Sequence, residues 1–255
     1  MEHNRSFTEI LKALEQAFAA THLAARPLRV RGHNEDVAEI AKQIHRSAYD
    51  FSHVPLQNGS GRVTHVLYRE DIPRLAVGSL LRIAKPLDPA YIVPANASVA
   101  EVVERIQKAG FLLVHPPGQP DTFDGIINHA DLAKLPLRIW LFAAFAEVED
   151  RLRSRLTGLD PTDLALKKRR LQGPADLPAE YRMRFVDLME VTWLKRLWFM
   201  QLEGDRSKAF FQSLNRRRNA VVHALDGALS GGWRMVVKQL QTTTQDLRLA
   251  LDELR

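Results

Sequence analysis

Within Asn215-Arg216-Arg217-Arg218-Asn219-Ala220-Val221-Val222-His223, three guanidinium groups, two carboxamides and an imidazole lie inside nine residues. A guanidinium is charged at any working pH and matches phosphate oxygens with a planar fork of donors. An imidazole can move a proton near neutrality. On a helix Asn219 and His223 are four apart and share a face, and Arg216, seven before His223, shares it too. Arg218 is five before His223, about 140° around an ideal helix, so its side chain must reach over, or a second subunit or a local distortion must complete the site. A phosphate binder, a proton mover and an orienting amide are what metal-free cleavage of an RNA phosphodiester needs. The 2′-hydroxyl attacks, His223 works as acid or base, and Arg218 stabilises the charge that develops. The plainer alternative is that His223 makes a packing contact and the arginines form a solvated stripe.

The setting suits an anionic partner. Residues 1–135 hold 15 Lys+Arg and 15 Asp+Glu, whereas residues 136–255 hold 21 and 15, so all of the net charge of +6 lies in the second half. A neutral half joined to a basic half suggests two jobs, with a polyanion as partner of the basic one. His223 is the only histidine of that half; the other eight lie in the first 129 residues. Lys167-Lys168-Arg169-Arg170 could track a phosphate backbone or be a solvated loop. The chain has no cysteine, which excludes disulfides and thiolate metal sites and fits a reducing cytosol. No signal-peptide pattern follows Met1, and no apolar run reaches the roughly 18 residues of a membrane span, so a cytoplasmic protein with no membrane partner is expected.

Helical texture begins at Pro136. Five helices are expected: 137–156, a short one over 164–171, 179–202, one starting at the N-cap candidate Asp205 and running to about 228, and 233–254. They predict a bundle of four long helices and a short one. Trp140, Trp193, Trp198 and Trp233 all lie here, as core filling or as part of a dimer interface. Arg-Asn-x-x-x-His with apolar spacers, late in a helical region of about 120 residues, resembles the HEPN superfamily. Phe145-Ala146-Glu147-Val148-Glu149-Asp150-Arg151-Leu152-Arg153 also looks like the first long helix of such domains. That resemblance implies a dimeric, metal-independent endoribonuclease with the two motifs facing each other. By position Arg218 and His223 would be catalytic, Asn219 supporting, and Arg216 and Arg217 phosphate contacts.

The neutral half contains a repeat. Val37-Ala38-Glu39-Ile40 recurs as Val99-Ala100-Glu101-Val102, 62 positions later, each after an N-cap candidate, Asp36 or Ser98. Each helix follows an extended stretch, around Val30 or Ile92-Val93, and precedes an apolar strand, 51–56 or 111–114. Turn-rich residues and a second strand come next, 63–68 or 125–128, then a helix expected near Asp71 or Asp131. Such a β-α-β-β-α unit of about 60 residues cannot bury its sheet alone, so the copies, at about 28–75 and 90–135, should pack as a pair. Residues 6–25 are expected to form an amphipathic helix with Ile10, Leu14 and Phe18 on one face and a Ser6–Glu9 capping box, packed on that pair or on a second subunit.

The pair resembles tandem CBS domains, a Bateman module. Gly125-Ile126-Ile127-Asn128-His129-Ala130-Asp131 matches the family pattern of Gly, two apolar residues, Ser or Thr, two residues and Asp, with Asn128 in place of the hydroxyl. In the first copy Asp71 is kept, but His65 replaces the Gly and Tyr68 the Ser or Thr; Val54-Pro55-Leu56 matches the apolar-Pro-apolar strand. The resemblance implies an adenine nucleotide such as AMP or ATP as regulatory ligand, held by Asp131, Asn128, Asp71 and Pro55. Both aspartates could instead simply be helix N-terminal residues. The expectation is therefore an α+β chain: residues 1–135 a helix plus an α/β CBS pair, and residues 136–255 an all-α HEPN-like bundle. As a homodimer or higher even oligomer it would cleave RNA under nucleotide control, as a toxin with a neutralising antitoxin or as an antiviral or stress-response effector. The alternative is a non-catalytic nucleotide sensor that holds RNA or a protein through its helical half.

Overall fold

The computed structural model describes residues 7–46, 53–72, 79–157, 171–172, 177–195, 197, 204–225 and 231–254. The chain divides into two compact units, one of them Phe18–Lys134 and the other Met1–Ala17 with Leu135–Arg255. Among the described residues no helix is long and apolar enough to cross a membrane.

The α/β unit holds the repeat. Strand β1 (Arg31–Gly32) leads through helix α3 (Val37–Arg46) to β2 (His53–Gln57) and β3 (Val63–Tyr68). The second copy runs β5 (Ile92–Pro94), α4 (Val99–Ala109), β6 (Phe111–His115) and β7 (Gly125–Asn128). In both copies the leading strand pairs parallel with the second, and the second antiparallel with the third. The helix starts fall where the caps predict. Asp36 Oδ1 accepts from the Ala38 N–H at 2.7 Å, and Ser98 Oγ from the Glu101 N–H at 3.2 Å. Gly110 ends α4 at φ 80°, a left-handed cap that a side chain would strain.

One face of the first sheet packs Leu56 and Leu67 against Val37, Ile40 and Ala41 of α3. Val63 and Val66 join Phe111, Leu113 and Ile126 of the second copy in a shared core. Each such aliphatic side chain contributes about 1.5–3 kcal/mol on burial. The copies also complete each other's sheets. Strand β4 (Lys85–Pro86), which precedes the second copy, pairs antiparallel with β3 of the first, His65 opposite Pro86. Ala25, which precedes the first copy, pairs antiparallel with Ile126 of β7. Ala25 N–H donates to Ile126 at 2.7 Å and Ile126 N–H returns to Ala25 at 3.2 Å. Gly125 is needed at this crossing, because a Cβ there would stand 2.8 Å from the Ala24 Cβ.

The aspartates after the last strands do not open α-helices. They sit in single 3-10 turns, Arg69–Asp71 and His129–Ala133. In the second copy the chain then enters helix α5 (Leu135–Leu156) of the other unit.

The N-terminal helix also departs from expectation. It is two pieces, α1 (Phe7–Ala17) and α2 (Ala20–Leu23), and α1 belongs with the helical unit rather than the α/β pair. The Trp140 indole donates to Glu15 at 3.2 Å there, and Ile10 is exposed rather than on a buried face. Ser6 lies outside the described residues. Helix α5 is buried around much of its circumference, with Leu137, Trp140, Leu141, Phe145, Val148 and Leu152 inside, and helices α1, α6 (Ala179–Arg182), α7 (Phe185–Leu194), α8 (Gly204–Leu225) and α10 (Leu240–Glu253) contact it.

The helix expected over 179–202 breaks at Met183 and Arg184, both extended. Met183 is buried, and the Arg184 guanidinium folds back on Asp187 with bonds of 2.7 and 3.2 Å. The helix expected over 233–254 likewise divides at Gln239, between α9 (Gly231–Lys238) and α10. Helix α8 begins at Gly204, so Asp205 lies inside it rather than capping it. Of the helix expected over 164–171 only Leu171 is described, and it is not helical; the run Lys167 to Arg170 and Trp198 lie outside the described residues, as does the side chain of Trp233.

Candidate functional site

Helix α8 turns successive arginines to different surroundings, because each residue advances the face by about 100°. Arg216, Asn219 and His223 fall on one stripe with Gln212; Arg216, Gln212 and His223 are exposed and Asn219 is half-buried. The sequence places these three on one face, and so does the fold. Helix α8 stays α-helical from Gly204 to Leu225, so no local distortion swings Arg218 round to His223.

Arg217 is a correction. It is 1% exposed, so it cannot meet a phosphate backbone from where it lies. Its guanidinium is ion-paired with Asp246 of α10 and donates to Thr243 Oγ1 at 3.2 Å. The signal lay in the buried stripe of Ser207, Phe211, Leu214 and Val221, where Arg217 fills the next turn.

Arg218 points into a cluster of charged and aromatic groups. Its Nη2 donates to Glu149 Oε2 at 3.1 Å, its Nη1 donates to Asn219 Oδ1 at 3.2 Å, and its guanidinium lies 5.9 Å from the Phe185 ring centre. The other carboxylate oxygen of Glu149 takes the Arg153 guanidinium, which itself lies 5.6 Å from the Tyr181 ring centre. Tyr181 had no role in the sequence reading, and Glu149 and Arg153 entered it only as part of the helix segment 145–153, not as site residues. The i,i+4 spacing of Glu149 and Arg153 is the local signal that could have found that pair.

In the α/β unit, matching register sets Tyr68 against Asn128 and Asp71 against Asp131. His53 pairs with Tyr68 across β2–β3 as Phe111 does with Asn128 across β6–β7. Tyr68 lies edge-on to His53 and Phe111, and the Lys85 ammonium sits 4.4 Å from its ring centre. Burial and a hydrogen bond with Tyr91 push the Tyr68 phenol above the usual tyrosine range. Asp71 binds Lys85 at 2.8 Å, which raises the lysine pKa.

Asn128 instead lines a cleft of about 580 Å³ with His53, Arg69, Glu70, Gly110 and His129. That size is within the ordinary range for small-molecule sites. Pro55 lines a separate cleft of about 210 Å³ with Arg26, Leu28, His53 and Ile126, below that range. Asp131 caps its own turn, accepting the Asn128 N–H at 2.7 Å and the Lys134 ammonium at 2.9 Å. The four expected nucleotide residues are thus distributed rather than gathered. The His53 ring, stacked on the fully buried Phe111, faces this cleft with Arg69 and Glu70, and Asn128 supplies donor and acceptor. His53 is pushed down by burial, partly offset by hydrogen bonding with Asn128 and by the Glu70 charge, and lowered further by His129. Among the described residues no group of three or more His, Asp or Glu could hold a metal ion.

No protein-family model and no curated protein matches the sequence. Solved structures do match. Hypoxic Response Protein I with two coordinated zinc ions is 20% identical, covering 46% of this chain and 97% of that chain, with a TM-score of 0.36. The CBS domain of a bacterial CNNM/CorC family Mg2+ transporter in complex with ATP is 14% identical, covering 52% and 94%, with a TM-score of 0.41. A hemolysin-like protein containing a CBS domain, from Oenococcus oeni PSU, is 17% identical, covering 50% and 95%, with a TM-score of 0.38. Each match spans about half of this chain at low identity. Within the chain itself the likeness is between two copies of a strand-helix-strand-strand unit, each edged by the segment that precedes the other.

Proposed function

We propose that the chain is a metal-independent endoribonuclease of the HEPN type, controlled by an adenine nucleotide at a CBS pair. The observation that carries this is the stripe Arg216–Asn219–His223 on an unbroken helix, exposed at Arg216 and His223 and half-buried at Asn219, with Arg218 beside it. In that reaction His223 exchanges the proton of the attacking 2′-hydroxyl or of the leaving oxygen, Arg216 holds phosphate, and Arg218 stabilises the developing charge. Because α8 is regular, Arg218 and His223 of one chain diverge, and a second copy across a dimer cleft supplies the missing partner. The α/β unit would bind AMP, ATP or a related nucleotide in the larger cleft at Asn128, and a nucleotide that prefers one dimer arrangement would change how the motifs face. A toxin with an antitoxin, or an antiviral or stress-response effector, is the setting such an activity fits.

The test is cleavage of single-stranded RNA in EDTA. The wild type should cut, His223→Ala and Arg218→Ala should not, and an all-DNA analogue should resist. Equal activity in wild type and both variants would overturn the enzyme. Arg217→Ala is the folding control, and should lower the stability of the helical unit by about 3 kcal/mol because Asp246 loses a buried partner.

One observation favours the non-catalytic alternative, a nucleotide sensor that binds RNA or a protein: the charge of Arg218 is already met by Glu149. RNA retention without cleavage, equal in wild type and His223→Ala, would support it.

A further inference from the structure

Four elements of the helical unit contribute to one cluster around Glu149. Glu149 of α5 is largely buried and accepts one guanidinium on each oxygen, Arg153 from its own helix and Arg218 from α8. One carboxylate between two guanidinia leaves the cluster with a net positive charge. Each guanidinium lies near an aromatic ring, Arg218 near Phe185 and Arg153 near Tyr181. The rings differ in access: Phe185 is 3% exposed, whereas Tyr181 is 55% exposed. A tyrosine ring left in solvent beside an ordered arginine combines the two contacts that hold single-stranded nucleic acid, a stacking platform and a phosphate ligand.

We infer that Arg153 and Tyr181 form a subsite for single-stranded RNA, in which Arg153 binds the phosphate beside the one held at Arg218 and Tyr181 stacks on the attached base. This rests on the RNA reading of helix α8 and extends it to α5 and α6. Glu149 is the positioning residue: it holds the two guanidinia side by side without touching the ligand. Stacking is tolerant of base identity, so the subsite selects for an unpaired strand rather than for a sequence.

The experiment uses the full chain carrying His223→Ala and a fluorescein-labelled single-stranded RNA with one 2-aminopurine. Tyr181→Ala should weaken binding about tenfold and abolish the change in 2-aminopurine emission, while Tyr181→Phe keeps both. Arg153→Gln should weaken binding and reduce the slope of log affinity against log salt by about one. Both variants should keep the parent's melting temperature, because Tyr181 is exposed and Glu149 retains Arg218. The subsite is overturned if Tyr181→Ala and Arg153→Gln bind as the parent does while Arg216→Gln weakens binding, a result that leaves the RNA reading standing. An equal loss from Lys238→Gln, on another helix, reduces the effect to general charge and also overturns it. Equal weakening of a perfect duplex by Tyr181→Ala overturns the stacking. A parent that binds no RNA overturns this inference and the RNA reading together.

Discussion

At the end of its last strand the first copy of the α/β repeat carries Tyr68, and the second carries Asn128 at the matching register. Tyr68 is packed by the protein's own groups, His53, Phe111 and the Lys85 ammonium. Asn128 lines an open cleft. Both following aspartates meet a lysine, Asp71 from strand β4 and Asp131 from three residues along. The same backbone therefore carries a packed tyrosine at one end and a cleft-lining asparagine at the other, and the copies differ further at His65 against Gly125 and His53 against Phe111. A repeat guarantees duplicated geometry, not duplicated chemistry.

Substitutions at matched positions break or sharpen that contrast. Gly125→Ala should cost about 1–3 kcal/mol, since its Cβ meets Ala24 at 2.8 Å. His65→Ala, at the matching place in the first copy, should cost less. All four tryptophans lie at residue 140 or beyond, so tryptophan emission is silent here and hydrogen exchange of β6 and β7 amides is the measurement. Next, Asp131→Ala should cost about 1 kcal/mol by uncapping its turn, and Asp71→Ala, whose partner Lys85 is exposed, about half as much or less, by the same exchange rates.

For the nucleotide, thermal shift with AMP or ATP should vanish in Asn128→Leu and persist in Tyr68→Phe. Loss in Tyr68→Phe alone would place the ligand in the first copy. The smallest effect concerns pH. Burial lowers His53 below its ordinary value of 6.5, so the unfolded chain binds the proton more readily than the folded one. The contribution of His53 to stability is therefore present above about pH 6.5 and declines as pH falls below it. His53→Phe, which makes this position like Phe111, should flatten the melting temperature between pH 7.5 and 5.5; an unchanged slope would remove His53 from the pH response.

Local signals were the ones the sequence carried well. Asp36 and Ser98 announce their helices because a cap acts within three residues, and β3 and β7 fall where a short apolar run follows a turn-rich segment. The pairing of Ala25 with Ile126 could not be read that way, because it joins residues about a hundred positions apart through backbone groups that carry no side-chain code. The same is true of α1 joining the helical unit, where Glu15 meets Trp140. In the helical unit the Arg-Asn-x-x-x-His spacing placed Arg216, Asn219 and His223 together. It treated Arg217 as another surface arginine, because composition counts charge while the helix counts angle. Glu149 was given no place at the site for a related reason: its partner Arg218 stands 69 residues away.

The exchange of leading segments has a bearing on how this chain can change over generations. Each copy lends an edge to the other, Lys85–Pro86 covering β3 and Ala25 covering β7. A recombination that excised one copy would strip an edge from the survivor and expose its backbone donors and acceptors to any passing strand. Duplication or transfer of the whole pair keeps every edge covered. The heritable cassette is thus the pair with both lead-in segments, and new specificities should arise by altering one end of the pair rather than by losing a half.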